Sequence, residues 1–348
     1  MKNETLISLS ERTGFSISTV SRVLSGQALR YRISKKTVDL ISEEARRCNY
    51  TPSLLAKGLR TKKTNTIGLL IPSIENNYFA IMASVIIHEA KQHSYKVVVV
   101  DTMEDELNEA EGLSSLLARK VDGILLVPCG EDPSNLEKIN NGVTPIVLID
   151  RYFPDTSLPY VCTNNYQGAV DATKCLINNG HKKIACIQGI PHSMPNRERL
   201  RGFIDTLNQY SLGDDPIIIG ENFSIQNGYM ETKLVLNKPD CPTALFTLGN
   251  TILLGAIKAI RESELRIPDD ISIVSFDDNM FFNYLDPAIT CVSQPVDEIG
   301  ILAVKILIKN INNETLSNTK IQLPPKLIIR NSIRNFHQED VLKSEPEK

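Results

Sequence analysis

The stretch Gly14-Phe-Ser-Ile-Ser-Thr-Val-Ser-Arg-Val-Leu24 has the residue types and spacing needed for hydrogen bonding to base-pair edges. Gly14 permits a tight turn, Ser16 can cap a helix, and Val20 and Leu24 recur on one inward helix face. Ile17, Ser18, Ser21 and Arg22 then stand outward near that helix's start, beside Ser16. An arginine can donate two hydrogen bonds to guanine O6 and N7, and an isoleucine can lie against a thymine methyl. A helix-turn-helix offers such side chains to the major groove from the start of its second helix. The competing reading is a short helix in some other all-α domain.

Charge bears on that choice. The net formal charge is −3, but residues 1–65 hold thirteen Lys/Arg against five Asp/Glu, and the remainder holds 25 basic against 36 acidic side chains. A basic head of about +8 on an acidic body of about −11 points to nucleic-acid contact confined to the head. Three short helices account for that head. Thr5–Thr13 is capped by Thr5 and stopped by Gly14, and the second helix is capped by Ser16 and ends at Ser25-Gly26. The third is capped by Ser34 and carries Val38, Ile41 and Ala45 at helical spacing. Pro52 suits the first position of a further short helix, Ser53–Arg60, and Thr61–Asn65 is a polar linker.

From Thr66 the pattern changes to short apolar runs: Ile67–Ile71, Val97–Val100, Gly123–Val127, Ile146–Ile149, Ile184–Ile187, Ala244–Phe246 and Ile271–Phe276. Helical periodicity separates many of them, as in Phe79–His93, Glu104–Arg119, Tyr166–Asn179 and Asn250–Arg261. Strands buried on both faces and alternating with helices imply parallel sheets, and about ten strands fit two doubly wound subdomains better than one. Ligands in such architectures sit outside the carboxyl ends of the strands, here between the two halves.

Enzymatic readings find little support. There is no G-x-G-x-x-G or G-x-x-x-x-G-K-S/T phosphate cradle and no G-x-S-x-G elbow, so no catalytic residue and no cofactor is expected. His88 and His93 are five residues apart, on different helix faces, so no metal site is expected either. Seven scattered cysteines without a C-x-x-C pair suit reduced thiols. The N-terminus lacks the apolar run of an export signal, and no stretch approaches a membrane span. These features predict a cytoplasmic protein without membrane association, which counts against a sugar-binding protein for transport.

Gly14–Leu24, Ile33-Ser-Lys-Lys-Thr37, Asn49-Tyr-Thr-Pro-Ser53, Ala56-Lys-Gly-Leu59 and Arg60–Leu70 resemble the lactose-repressor/galactose-repressor (LacI/GalR) family of bacterial regulators. The resemblance continues more weakly to about Arg334. It implies a lambda-repressor-like helix-turn-helix head and a periplasmic-binding-protein-like core. The implied boundaries are 1–50 for the head and 51–65 for a hinge helix and linker. The first core subdomain would take 66–162 plus 293–323, the second 163–292 plus 324–336, and 337–348 would form a disordered tail.

The resemblance further implies a homodimer on near-palindromic double-stranded operator DNA, with hinge segments carrying Ala56, Lys57 and the wedge Leu59 in the minor groove. A longer loop, Gln27–Arg32, adds Arg30, Tyr31 and Arg32 as candidate phosphate contacts. Effector contacts fall on Asn76, Tyr78, Phe79, Asp150, Arg197, Arg199 and Asp277, with Phe246 as a stacking candidate. Carboxylates and arginines suit sugar hydroxyls because each makes paired, directed hydrogen bonds. The expected effector is a sugar or sugar derivative, with a purine or other metabolite as the alternative. The expected function is ligand-controlled repression of carbohydrate-metabolism genes.

Overall fold

The computed structural model describes residues 5–50, 63–142, 144–314 and 319–337. The hinge segment with Ala56, Lys57 and Leu59 and the tail beyond His337 lie outside the described residues. Met1–Thr64 and Asn65–Lys348 are two separate compact units.

In the first unit each helix begins where a hydroxyl can accept a hydrogen bond from an otherwise unpaired backbone N–H. Thr5 caps α1 (Leu6–Thr13), Ser16 caps α2 (Ile17–Leu24) and Ser34 caps α3 (Lys35–Arg47), accepting from the N–H of Ser8, Thr19 and Thr37. Gly14 ends α1 in the left-handed region at φ +71°, a conformation costly for a residue with a Cβ. The three helices enclose a small core of Leu9, Val20, Val23, Ile41 and Ala45. Its content follows from the apolar spacing of the sequence, and it leaves the opposite face of α2 to solvent.

The second unit holds two six-stranded sheets. The first comprises β1 (Thr66–Ile71), β2 (Lys96–Asp101), β3 (Gly123–Leu126), β4 (Ile146–Ile149), β5 (Tyr160–Thr163) and β11 (Lys320–Leu323), in the order β11-β5-β4-β3-β1-β2. The second comprises β6 (Ile184–Ile187), β7 (Ile217–Ile219), β8 (Ala244–Thr247), β9 (Ser272–Phe276), β10 (Thr290–Ser293) and β12 (Lys326–Ile328), in the order β12-β10-β9-β8-β6-β7. Neighbours pair in parallel except β10 with β12. Apolar clusters cover both faces of each sheet, the arrangement that continuous Val/Ile/Leu runs require.

The chain passes from one sheet to the other after β5, β10 and β11. In the first sheet the strand order reverses direction between β1 and β3, in the second between β6 and β8. Loops at these carboxyl ends are where a doubly wound sheet leaves room for a ligand. Four helices carry side chains to those ends: α4 (Asn77–Gln92), α7 (Asn165–Asn178), α8 (Met194–Gln209) and α10 (Asn250–Glu262). α7 and α10 begin within three residues of a strand's end, and α4 and α8 six or seven residues after one. The seven cysteines are free thiols. Among the described residues no helix is long and apolar enough to cross a membrane.

Candidate functional site

Two groups of polar side chains stand out, one exposed on the head and one buried in the second unit. On the head, Val20 and Val23 turn inward, so residues 17, 18, 21 and 22 share the outer side of α2. Ile17 is 46% exposed, a conspicuous apolar side chain for a helix start in water. The Ser16 hydroxyl is committed to the cap and lies 2.9 Å from both the Ser18 and Thr19 hydroxyls. The loop Gln27–Arg32 folds back beside α2 and brings the Tyr31 ring to 3.9 Å from the Arg22 guanidinium carbon, with Arg30 at 6.0 Å from the same ring. Arg30 and Arg32 are exposed, and Arg32 is left-handed at φ +53°. The structure thus gathers Ile17, Ser18, Ser21, Arg22 and Tyr31 around one short helix.

In the core the side chains following strand ends converge. Asp150 directly follows β4 and Asp277 directly follows β9, both at left-handed φ (+65° and +70°) and both buried. Aspartate tolerates that conformation better than most residues, but a buried carboxylate there still needs partners. Asn76 caps α4, accepting from the Tyr78 N–H at 3.1 Å, and so aims Tyr78 at the strand ends. The Tyr78 hydroxyl donates to Asp150 Oδ1 at 2.7 Å and lies 3.3 Å from Gln294 Oε1. Thr163 Oγ1 donates to that same oxygen at 2.5 Å, while Gln294 Nε2 donates to Asp277 Oδ1 at 2.6 Å. Asp277 Oδ2 accepts from the Asn250 N–H at 3.3 Å, and the Asn250 amide donates to Asn76 Oδ1 at 3.5 Å. A closed ring of polar contacts therefore links strand ends of both sheets.

Arg199 approaches that ring from α8. Its Nε donates to Asn165 Oδ1 and its guanidinium to the Leu248 carbonyl, each at 2.7 Å, and its plane lies 3.7 Å over the Phe276 ring. Burial pushes the Asp150 carboxyl above its ordinary range, against the pull of Arg151 and Arg199. Burial likewise lowers Arg199, opposed by Asp277 and Asp150, and raises the Tyr78 phenol well up, helped by Asp150. Arg151 loses solvation, but Glu104 and Asp150 outweigh that loss and its pKa rises. Its guanidinium donates to Glu104 and to the Pro128 carbonyl at 3.2 Å. Two buried atoms beside the ring, Arg151 Nε and Asn250 Oδ1, have no hydrogen-bond partner. Orphaned donors and acceptors in a cleft of this kind are positions a polar ligand can fill.

A cavity of about 180 Å³ opens outside the ring, lined by Cys129, Arg151, Tyr152, His192, Ser193 and Arg197. A larger hollow of about 320 Å³, between Ile257 and Pro287 on the second sheet's helical layer, lies away from the polar ring.

Of the residues singled out from sequence, Asn76, Tyr78, Asp150, Arg199 and Asp277 meet in this cluster. Arg197 lies exposed at its mouth. Phe79 packs into the first sheet's core, edge-on to Tyr78 at 5.1 Å. Phe246 is fully buried in the second sheet's core, 6.2 Å from Phe203, so it offers no face to the cleft; the aromatic surface there is Phe276. Reading the sequence does not single out Gln294, Asn165 or Phe276 as contacts. The signal for Gln294 is its place directly after β10, the same strand-end rule that marks Asp150 and Asp277.

Comparison with known proteins places these features among relatives. A model of the periplasmic binding protein-like domain matches residues 173–333. The ribose operon repressor of Haemophilus influenzae is 32% identical over 320 residues, spanning 91% of this chain and 95% of that protein. Catabolite control protein A of Priestia megaterium is 28% identical over 334 residues, spanning 95% and 100%. Among solved structures, the lac repressor dimer bound to operator and the anti-inducer ONPF is similar with a TM-score of 0.85 and 26% identity, covering 96% of this chain and 100% of that one.

Proposed function

The chain belongs to the lactose-repressor/galactose-repressor family of transcription regulators, whose members it matches over nearly its whole length, and we propose that it represses carbohydrate-metabolism genes under the control of a small effector. Its head binds a near-palindromic operator as one half of a homodimer, with α2 in the major groove. Arg22 reads guanine, Ile17 packs on thymine, and Ser18 and Ser21 reach bases or phosphates. Arg30 and Arg32 supply phosphate contacts. Ala56, Lys57 and Leu59, outside the described residues, take the minor-groove role that their sequence suggests.

The effector occupies the cleft between lobes 66–162 plus 293–323 and 163–292 plus 324–336. The observation that carries this reading is the buried polar ring Tyr78–Asp150–Gln294–Asp277–Asn250, with Arg199 behind it. A purely structural interior would be cheaper with apolar side chains. Partners that bond to one another can exchange those bonds for a ligand's hydroxyls at small net cost. A sugar or sugar derivative fits best, since it offers many hydroxyls and an apolar face. Relatives named as ribose operon repressors support that class. Exchange of the Tyr78–Gln294 and Asn250–Asn76 contacts, which join strand ends of different sheets, for ligand contacts alters how the two sheets are tied. That difference between bound and free states is what couples the effector to operator affinity.

Selection of binding sites from random duplex DNA, repeated across a metabolite panel, tests the reading. The expected result is a two-fold symmetric motif whose occupancy one class of metabolite changes. Asp277→Asn turns one of the two carboxylate oxygens that accept from the Asn250 N–H and Gln294 Nε2 into a donor; it should abolish that change while leaving unliganded DNA binding intact. A full-length protein that shows no preference for any duplex, with or without metabolites, would refute the proposal.

A further inference from the structure

The loop Gln27–Arg32 is built, not loose. The Gln27 N–H donates to the carbonyl of Arg22 itself at 2.9 Å, and the Tyr31 N–H donates to the Gln27 carbonyl at 3.2 Å. The Arg32 N–H donates to Leu29 O at 3.1 Å and the Ile33 N–H to Ala28 O at 2.9 Å. Ala28 and Ile33 pack against the head's core, fixing both ends of the turn. This backbone relay starts at Arg22 and returns an aromatic ring to its guanidinium, 3.9 Å from Cζ to the ring centroid. Among the described residues that guanidinium has no carboxylate partner and no hydrogen bond, although the head carries several acidic side chains.

We propose that Tyr31 is a positioning residue for Arg22: its ring clamps the guanidinium face and thereby sharpens the base preference of α2. The inference rests on the reading that α2 enters a major groove. Stacking uses the face of the guanidinium and leaves its five in-plane N–H donors free. Those donors are the ones a guanine edge needs, two at a time. Free in solution, a long arginine samples many rotamers and reaches phosphates as readily as bases. Held on a ring, it keeps one orientation before DNA arrives, so less freedom is lost when the correct base is met. Arg30, farther from the same ring at 6.0 Å, adds positive charge beside it without competing for the close stacking position. The role separates Tyr31 from Arg30 and Arg32, whose exposed cations suit sequence-independent contact with the DNA backbone.

The test is binding-site selection from random duplex DNA with the full-length wild type, Arg22→Ala, Tyr31→Leu and Tyr31→Phe, each checked for thermal unfolding. Arg22→Ala should flatten the preference at one base pair in each half-site. Tyr31→Leu keeps apolar bulk but has no ring face; it should weaken preference at that same base pair by about two- to fivefold per half-site and leave the other positions unchanged. Tyr31→Phe should retain the wild-type profile. A Leu variant with the wild-type preference overturns the proposal. So does a Phe variant that loses affinity evenly on all sequences, since that marks the hydroxyl as a phosphate contact. A fold defect would lower all positions together and likewise counts against it. If Arg22→Ala changes no position, the major-groove reading of α2 falls first and the positioning role with it.

Discussion

The outer face of α2 and the polar ring in the core use similar side chains in opposite ways. On α2 the arginine and serines stand at the surface, and the Arg22 guanidinium lies over the aromatic face of Tyr31. In the core, Tyr78, Asp150, Arg199, Asp277 and Gln294 are all buried; Tyr78, Asp150, Asp277 and Gln294 are linked to one another, and Arg199 bonds to Asn165 and the Leu248 carbonyl. A surface that must read a polyanion can leave its donors in water at little cost, because water satisfies them until DNA replaces it. A cleft that must open cannot; its donors and acceptors need partners in the absence of ligand as well. Losses in the two regions should therefore differ in kind: stability in the core, recognition at the head.

The largest expected effect follows from that difference. Arg199→Ala removes a buried cation facing Asp277 and Asp150 and leaves Asn165 Oδ1 and the Leu248 carbonyl without their donor. Removing one partner from such a network costs about 3–5 kcal/mol, read as a lower midpoint in urea denaturation. Binding to bulk DNA by the folded fraction should be unaffected. An Arg199→Ala core as stable as wild type would mean that the ring contributes nothing to stability and the comparison is wrong.

A second, smaller effect depends on pH. His181 is buried, its ring bonded to the Thr243 hydroxyl at 2.9 Å and edge-on to Phe336 at 5.0 Å. Burial pushes its pKa down to about 4, against a hydrogen bond with the Arg334 backbone that favours the charged ring. The folded state thus binds fewer protons than the unfolded state between about pH 6.5 and 4, so stability rises with pH through that window and is lost as pH falls. The loss should be at most about 3 kcal/mol at the acid end. His181→Gln should flatten this limb of a stability-against-pH curve. The described residues of the head include no histidine, so Arg22 variants should keep the wild-type slope.

How legible each region is in the sequence depends on the same contrast. The head is local: cap, turn, inward valines and outward arginine lie within eleven residues, so their spacing alone places them. The cleft is assembled from the ends of strands scattered over more than half the chain. Asp150 and Asp277 are readable because each ends a clear apolar run. Gln294 is not, because β10 (Thr-Cys-Val-Ser) carries a threonine and a serine and lacks the signature of a buried strand, although three of its four residues are buried. Phe246 shows the converse: inside a strand covered on both faces a side chain faces core, and only the strand's end can present a group to the cleft. The contact of Tyr31 with Arg22 depends on loop closure, which no periodicity reveals.

The smallest effect tests whether the head is as self-contained as this contrast requires. The Ser16 hydroxyl accepts from the Thr19 N–H at 3.2 Å and is the side-chain cap of α2. Ser16→Ala leaves that N–H to water and frays the turn that carries Ile17 and Ser18. The cost should be about 1 kcal/mol of head stability. Because the frayed turn also holds Ile17 and Ser18, the side chains proposed to reach base edges, operator affinity should fall by a similar factor while non-specific binding changes less. The core has no part in that cap, so its denaturation midpoint and its response to ligand should match wild type. Calorimetry of the full chain, following both transitions, checks this directly. A Ser16→Ala core that unfolds earlier than wild type would show that the two regions share stability and that the local logic of the head extends beyond its own helices.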